Sequence, residues 1–133
     1  MTNKTNWFLK NLHLLISLSI VVPAAIIYGT PHILSKLLDI QSNTIDLLNL
    51  LKALMALYLG ISIVWILGIW KEKYWKNATQ LNVLFMIALA SGRTLSILTD
   101  GLPSGGFIFG TIGEFILGIF SIYQLKKYSS KLN

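Results

Sequence analysis

The sequence predicts an all-α integral membrane protein, a four-helix bundle with both termini cytoplasmic, on three observations. Of the 133 residues, 54% are apolar and only 12% charged, about half the charged share of a soluble domain, so most of the chain is built to face lipid. Four stretches, residues 7–29, 47–70, 78–99 and 105–125, each supply the roughly 20 mostly apolar residues that cross a hydrocarbon core. The lysines gather at alternate ends of those stretches, with most of the aromatic residues beside them. Little chain remains outside the spans, so residues 1–133 read as one transmembrane unit without a soluble domain.

Span one runs from Trp7 to Gly29. Lys4 and Lys10 before an apolar run imitate a signal peptide, but the run continues through VVPAAIIYG without an A-x-A cleavage site, so it is expected to stay attached. In the following TPHILSKLLDIQSNTID, the apolar residues Ile33, Leu34, Leu37, Leu38 and Ile40 recur at helical spacing. That spacing predicts a short helix on the membrane surface or over the bundle, with Pro31 in its first turn; an irregular loop is the alternative. Span two, Leu47 to Trp70, carries Asn49 and Lys52 near its start. KEKYWKN then reads as a short turn, Ala78 to Thr99 as span three, TDGLPSGG as a second turn and Gly105 to Leu125 as span four. Such short connections make spans two to four antiparallel neighbours.

Small residues recur at helical spacing in two spans. Ala56, Gly60 and Gly68 share a face of span two with Lys52, and Gly106, Gly110 and Gly118 share a face of span four with Glu114. They read as packing seams, since close backbone approach is what joins helices in lipid.

Orientation follows from charge. Lys4, Lys10, Lys71, Lys73, Lys76, Lys126, Lys127 and Lys131 flank one side, whereas the other has Lys36 with Asp39, Asp46 and Asp100. The positive-inside rule therefore places both termini in the cytoplasm, and Trp7, Trp70, Tyr74, Trp75, Tyr123 and Tyr128 fall on the same side as an aromatic belt. The net charge of +6 is thus spent on orientation, and no nucleic-acid partner is implied. The absence of cysteine removes thiol chemistry and cysteine-ligated metals. His13 at the inner end of span one and His32 in the outer loop read as an interfacial residue and a helix-start residue, too far apart for a two-histidine metal site. No HExxH, GxSxG or paired-aspartate motif occurs, so no catalytic residue, metal or cofactor is assigned.

The informative residues are the charges inside the spans. Arg93 lies seven residues before Asp100, roughly 10 Å below the outer end of span three, and Glu114 lies at a similar depth in span four. Lys52 is shallower in the same leaflet, and Arg93, Ser96 and Asp100 align on one helix face. An ionised group in hydrocarbon costs about 2.5 to 3.5 kcal/mol even on the lenient scale, and guanidinium cannot deprotonate to escape it. Arg93 is therefore expected to pair with Glu114 through its planar fork, with Asp100 as secondary partner and Lys52 nearby.

The segments NLLKALMALYLG, GRTLSILTDGLPS and GEFILG together resemble the pattern of the small bacterial membrane proteins grouped as domain of unknown function 4345. The resembling positions are Asn49, Lys52, Tyr58 and Gly60; Gly92, Arg93, Ser96, Asp100, Gly101 and Pro103; and Glu114. They span about the last two-thirds of the chain. Lys52 departs from the pattern, which more often has arginine; lysine keeps the charge without the planar fork. The resemblance implies a four-helix, multi-pass protein of the bacterial cytoplasmic (inner) membrane with no established activity.

Two functions from different classes remain open on the residues. In one, Arg93, Glu114, Asp100, Lys52, Ser96 and Asn49 form an outer-leaflet charged pocket that binds or transports a small amphiphile, lipid or ion. In the other, the protein is a structural or interaction subunit, a homo-oligomer among the options, whose Arg93–Glu114 cluster is only a clasp fixing helix register. Beyond the lipid bilayer no partner is specified, and for a third reading, an intramembrane enzyme, the sequence gives little.

Overall fold

The computed structural model describes residues 3–41 and 43–129; Lys131, counted above for orientation, lies outside them. Its elements are α1 (Asn3–Gly29), α2 (Pro31–Leu37), α3 (Ile45–Trp70), α4 (Glu72–Asp100) and α5 (Gly105–Ser129). All but α2 are long and apolar enough to cross a membrane. The short helix after span one is present and begins at Pro31, where the missing N–H costs nothing. Thr44 caps α3: its hydroxyl accepts from the Leu47 N–H at 3.2 Å, and Asp46 in the first turn faces the positive end of the helix dipole.

One expected turn is mostly helix. The polarity of KEKYWKN predicts a connection, but only Lys71 breaks the path, closing α3 and opening α4 with extended dihedrals of −124° and 111°. Nothing in EKYWKN disfavours a helix, Glu72 suits a first turn, and both Trp75 and Ala78 are buried there. The second turn is real. Gly101 adopts a φ of 102°, a conformation open to glycine and strained for other residues, and α4 stops.

Around the bundle the order is α1, α3, α4, α5, with α1 and α4 on the diagonal. The α4–α5 pair is the most closely packed and the α1–α5 seam the loosest. Gly118 explains the first: a Cβ there would collide with the Ile87 side chain. Likewise Gly68 lets α3 reach Ala78 at the start of α4. The rest of the span-two seam is not used within the chain, because Gly60 faces open space. Above the bundle, buried Leu34 anchors α2. Through its middle an edge-to-face series runs from Tyr28 to Tyr58, Phe85 and Trp65, with centroids 5.6, 5.1 and 5.5 Å apart.

Candidate functional site

On α4 the positions Trp75, Thr79, Asn82, Met86 and Ala90 are buried at spacings of three and four, and Arg93 continues that face. This register swings Arg93 towards α5, where Glu114 projects one turn below Gly110. Arg93 Nε lies 3.1 Å from Glu114 Oε2, with the two side chains only 20% and 13% exposed. The approach is a charge contact without hydrogen-bond geometry between Nε and Oε2, and the guanidinium Nη2 donates to the Tyr28 hydroxyl at 3.3 Å. Its flat face sits over the Phe107 ring, 5.0 Å from the centroid. Gly110 lies beside it, where a Cβ would make an ordinary van der Waals contact with the guanidinium at 3.9 Å. A charge inside the hydrocarbon is thus matched by an anion, a hydroxyl and an aromatic face.

Two clefts meet at this group. The first, about 380 Å³, lies in the loose α1–α5 seam between residues such as Ala24, Ile27, Phe109 and Gly113, and includes Arg93 and Glu114. The second, about 670 Å³, lies on the opposite side between α3 and α4, along Leu54, Leu57, Leu84 and Ala88. Tyr28, Tyr58, Phe85, Leu89, Arg93 and Phe107 line both and so form the partition between them. Leu38 borders the first cleft and Ile40 the second, so the segment following α2 closes the same end of both. Both volumes fall in the range of small-molecule sites.

The structure brings together only part of the expected cluster. Arg93 and Glu114 pair as expected, through one contact where a bidentate fork was anticipated. Asp100 does not reach Arg93: it ends α4 about 10 Å further along the helix, and its Oδ2 accepts from Ser96 Oγ at 2.9 Å. Ser96 borders the second cleft. Lys52 and Asn49 are exposed on α3 and line neither cleft. The inward face of α3 is set by Leu51 and Tyr58, and the helical step of 100° turns Lys52 away from it.

Several participants escaped the sequence reading. The sequence analysis singles out neither Tyr28 nor Phe107; a hydroxyl level with an intramembrane arginine is the available signal. His13 is a second correction. It is fully buried, with Nε2 2.9 Å from Thr79 Oγ1 and its ring edge-on to Trp75, not interfacial. Beside it Ser121 Oγ donates to Asn82 Oδ1 at 2.7 Å, and the Gln124 amide donates to the Leu9 carbonyl at 2.6 Å. At the surface below, Lys10 pairs with Glu72 and lies over Trp75. Among the described residues no group of three or more histidine, cysteine or acidic side chains could hold a metal ion.

No curated protein and no solved structure matches the chain. The family profile of a domain of unknown function (DUF4345) matches residues 8–125, which reach from within α1 to within α5 and include both members of the ion pair. The four apolar helices make this a multi-pass membrane protein, and the chain belongs to the DUF4345 family.

Proposed function

We propose that the protein binds a small amphiphile, with Arg93 holding the polar end and a flanking cleft holding the apolar body. The observation that carries this is the position of one guanidinium in the wall shared by two mostly apolar clefts, with Glu114 beside it in the first and Ser96 in the second. Intramembrane charges are retained where they serve a pathway or a ligand, and here the charge borders space on two sides. Leu38 and Ile40 close the α2 end of both clefts, which favours entry sideways from the bilayer. In this reading both termini are cytoplasmic in a bacterial inner membrane, and the clefts open into the outer leaflet.

A second reading has one specific observation in its favour. Arg93 Nε and Glu114 Oε2 are both fully buried against each other, as expected of a clasp that fixes the register of α4 on α5, in a structural or interacting subunit. Native mass spectrometry of the purified protein with phosphatidylglycerol and with a single-chain fatty acid separates the two. The binding reading predicts that the folded double variant Arg93→Met with Glu114→Leu loses at least tenfold in adduct, about 1.4 kcal/mol of binding. Unchanged adducts on that variant would leave the charges as architecture.

A further inference from the structure

The first cleft stops at three apolar side chains, Val21 on α1, Met86 on α4 and Leu117 on α5, all buried. One turn nearer the lysine-rich end each of these helices carries a buried polar residue: Ser17, Asn82 and Ser121. One turn or so beyond those come His13, Thr79 and Gln124, also buried. On the other side of the apolar tier come Glu114, one turn from Leu117 on α5, and Tyr28 and Arg93, two turns from Val21 and Met86 with the buried Ala25 and Ala90 between. Along one axis α5 thus reads polar, polar, apolar, polar, and α1 and α4 read the same with a second apolar turn before Tyr28 and Arg93. On α5 the positions are Glu114, Leu117, Ser121 and Gln124, spaced i, i+3, i+7 and i+10 on one face, so Ser121 lies about 10 Å from Glu114 with Leu117 between them.

The polar tiers are not saturated. Ser17 Oγ and Asn82 Nδ2 are buried with no hydrogen-bond partner among the described residues. A core meant only for packing has no reason to bury such groups, since each orphan costs about 1 to 3 kcal/mol, and apolar residues would serve in lipid. Hydroxyls, an amide and an imidazole in line are instead the groups that bind water and hand on protons.

We propose that the Ser17–Asn82–Ser121 tier and the first cleft are two halves of one proton path along the bundle axis, gated by Val21, Met86 and Leu117. At one end the path begins at the buried His13, one turn inside the Lys10–Glu72 surface, which protons reach only through water drawn into the tier. At the other Glu114, facing Arg93 and close to Tyr28 and Tyr58, takes the proton on a carboxylate oxygen to become the neutral acid, and returns it along the same line. When the three side chains part, water bridges the 10 Å between Ser121 and Glu114; when they close, the tier dewets and the path is broken, as in apolar constrictions of channels. This path does not depend on the amphiphile reading.

The test is proton flux into liposomes holding the full-length protein, followed with an entrapped pH dye under a potassium diffusion potential. Wild-type protein should conduct near background. Met86→Ala with Leu117→Ala should raise the flux by about tenfold or more, and adding either Glu114→Gln or Asn82→Leu should return it to background. No rise in a variant that stays monodisperse would overturn the path, and a rise that survives Glu114→Gln would remove Glu114 from it. Should the gate variants fail to fold, the cysteine-free chain offers single-cysteine labelling. Ser17→Cys and Ser121→Cys should react with a small charged thiol reagent applied from the lysine-rich side while Val21→Cys does not; equal protection of all three would refute the hydrated tier.

Discussion

Glu114→Gln removes the charge facing Arg93 and keeps the side chain's size. At 3.1 Å and an effective dielectric near 20, the Coulomb attraction of the pair is about 5 kcal/mol. Desolvation of both groups offsets much of that, but removing one partner strands the other, which costs about 3 to 5 kcal/mol in a buried pair. With 20% and 13% of the two side chains still exposed, the lower figure of about 3 kcal/mol applies. For 133 residues at about 2.1 cal/mol/K of unfolding entropy each, that lowers Tm by roughly 10 °C. The assay is thermal unfolding in a fixed detergent, followed by the fluorescence of the buried Trp65 and Trp75. Arg93→Met should cost a similar amount, and Arg93→Met with Glu114→Leu should recover about 2 kcal/mol relative to the sum of the single losses. Strictly additive losses would show that the two residues do not interact, and the pairing would have to be given up.

Tyr28→Phe removes the acceptor for Arg93 Nη2; at 3.3 Å the loss should be about 1 kcal/mol of stability, read as a Tm shift, with weaker amphiphile adducts. His13→Leu should cost about 1 to 3 kcal/mol because Thr79 is left buried and unpaired, and Thr79→Val added to it should restore part of that; a change under 0.5 kcal/mol would match an interfacial residue instead. Gly118→Leu should separate α4 from α5 and abolish a monodisperse preparation, whereas Gly60→Ala, facing open space, should raise Tm slightly through helix propensity. Reporter fusions at the two ends should give the same signal, and a cytoplasmic one; opposite signals would contradict four spans.

The sequence made span number, span order and the capping helix legible because length and apolar periodicity need no tertiary information. The boundary at Lys71 was misplaced because KEKYWKN is polar, and polarity at a membrane surface does not distinguish a turn from the first turns of a helix. Depth along a helix was also readable, which is why Arg93 and Glu114 could be matched. Azimuth was not. Lys52 lies at a fitting depth but on the wrong side of α3, and only the packing of Leu51 and Tyr58 reveals it. His13 is misplaced, and Tyr28 unassigned, for a related reason: near a span end a polar aromatic or imidazole suits the interface as well as the core, and the choice is made by neighbours on other helices.

The most direct measurement is an electron-density map from crystals grown in a lipid phase. Elongated density is expected in the α1–α5 or α3–α4 cleft, ending within hydrogen-bond distance of the Arg93 guanidinium. Clefts collapsed by neighbouring side chains, or lipid density that passes Arg93 without approaching it, would contradict a ligand site and leave the arginine as part of the bundle's architecture.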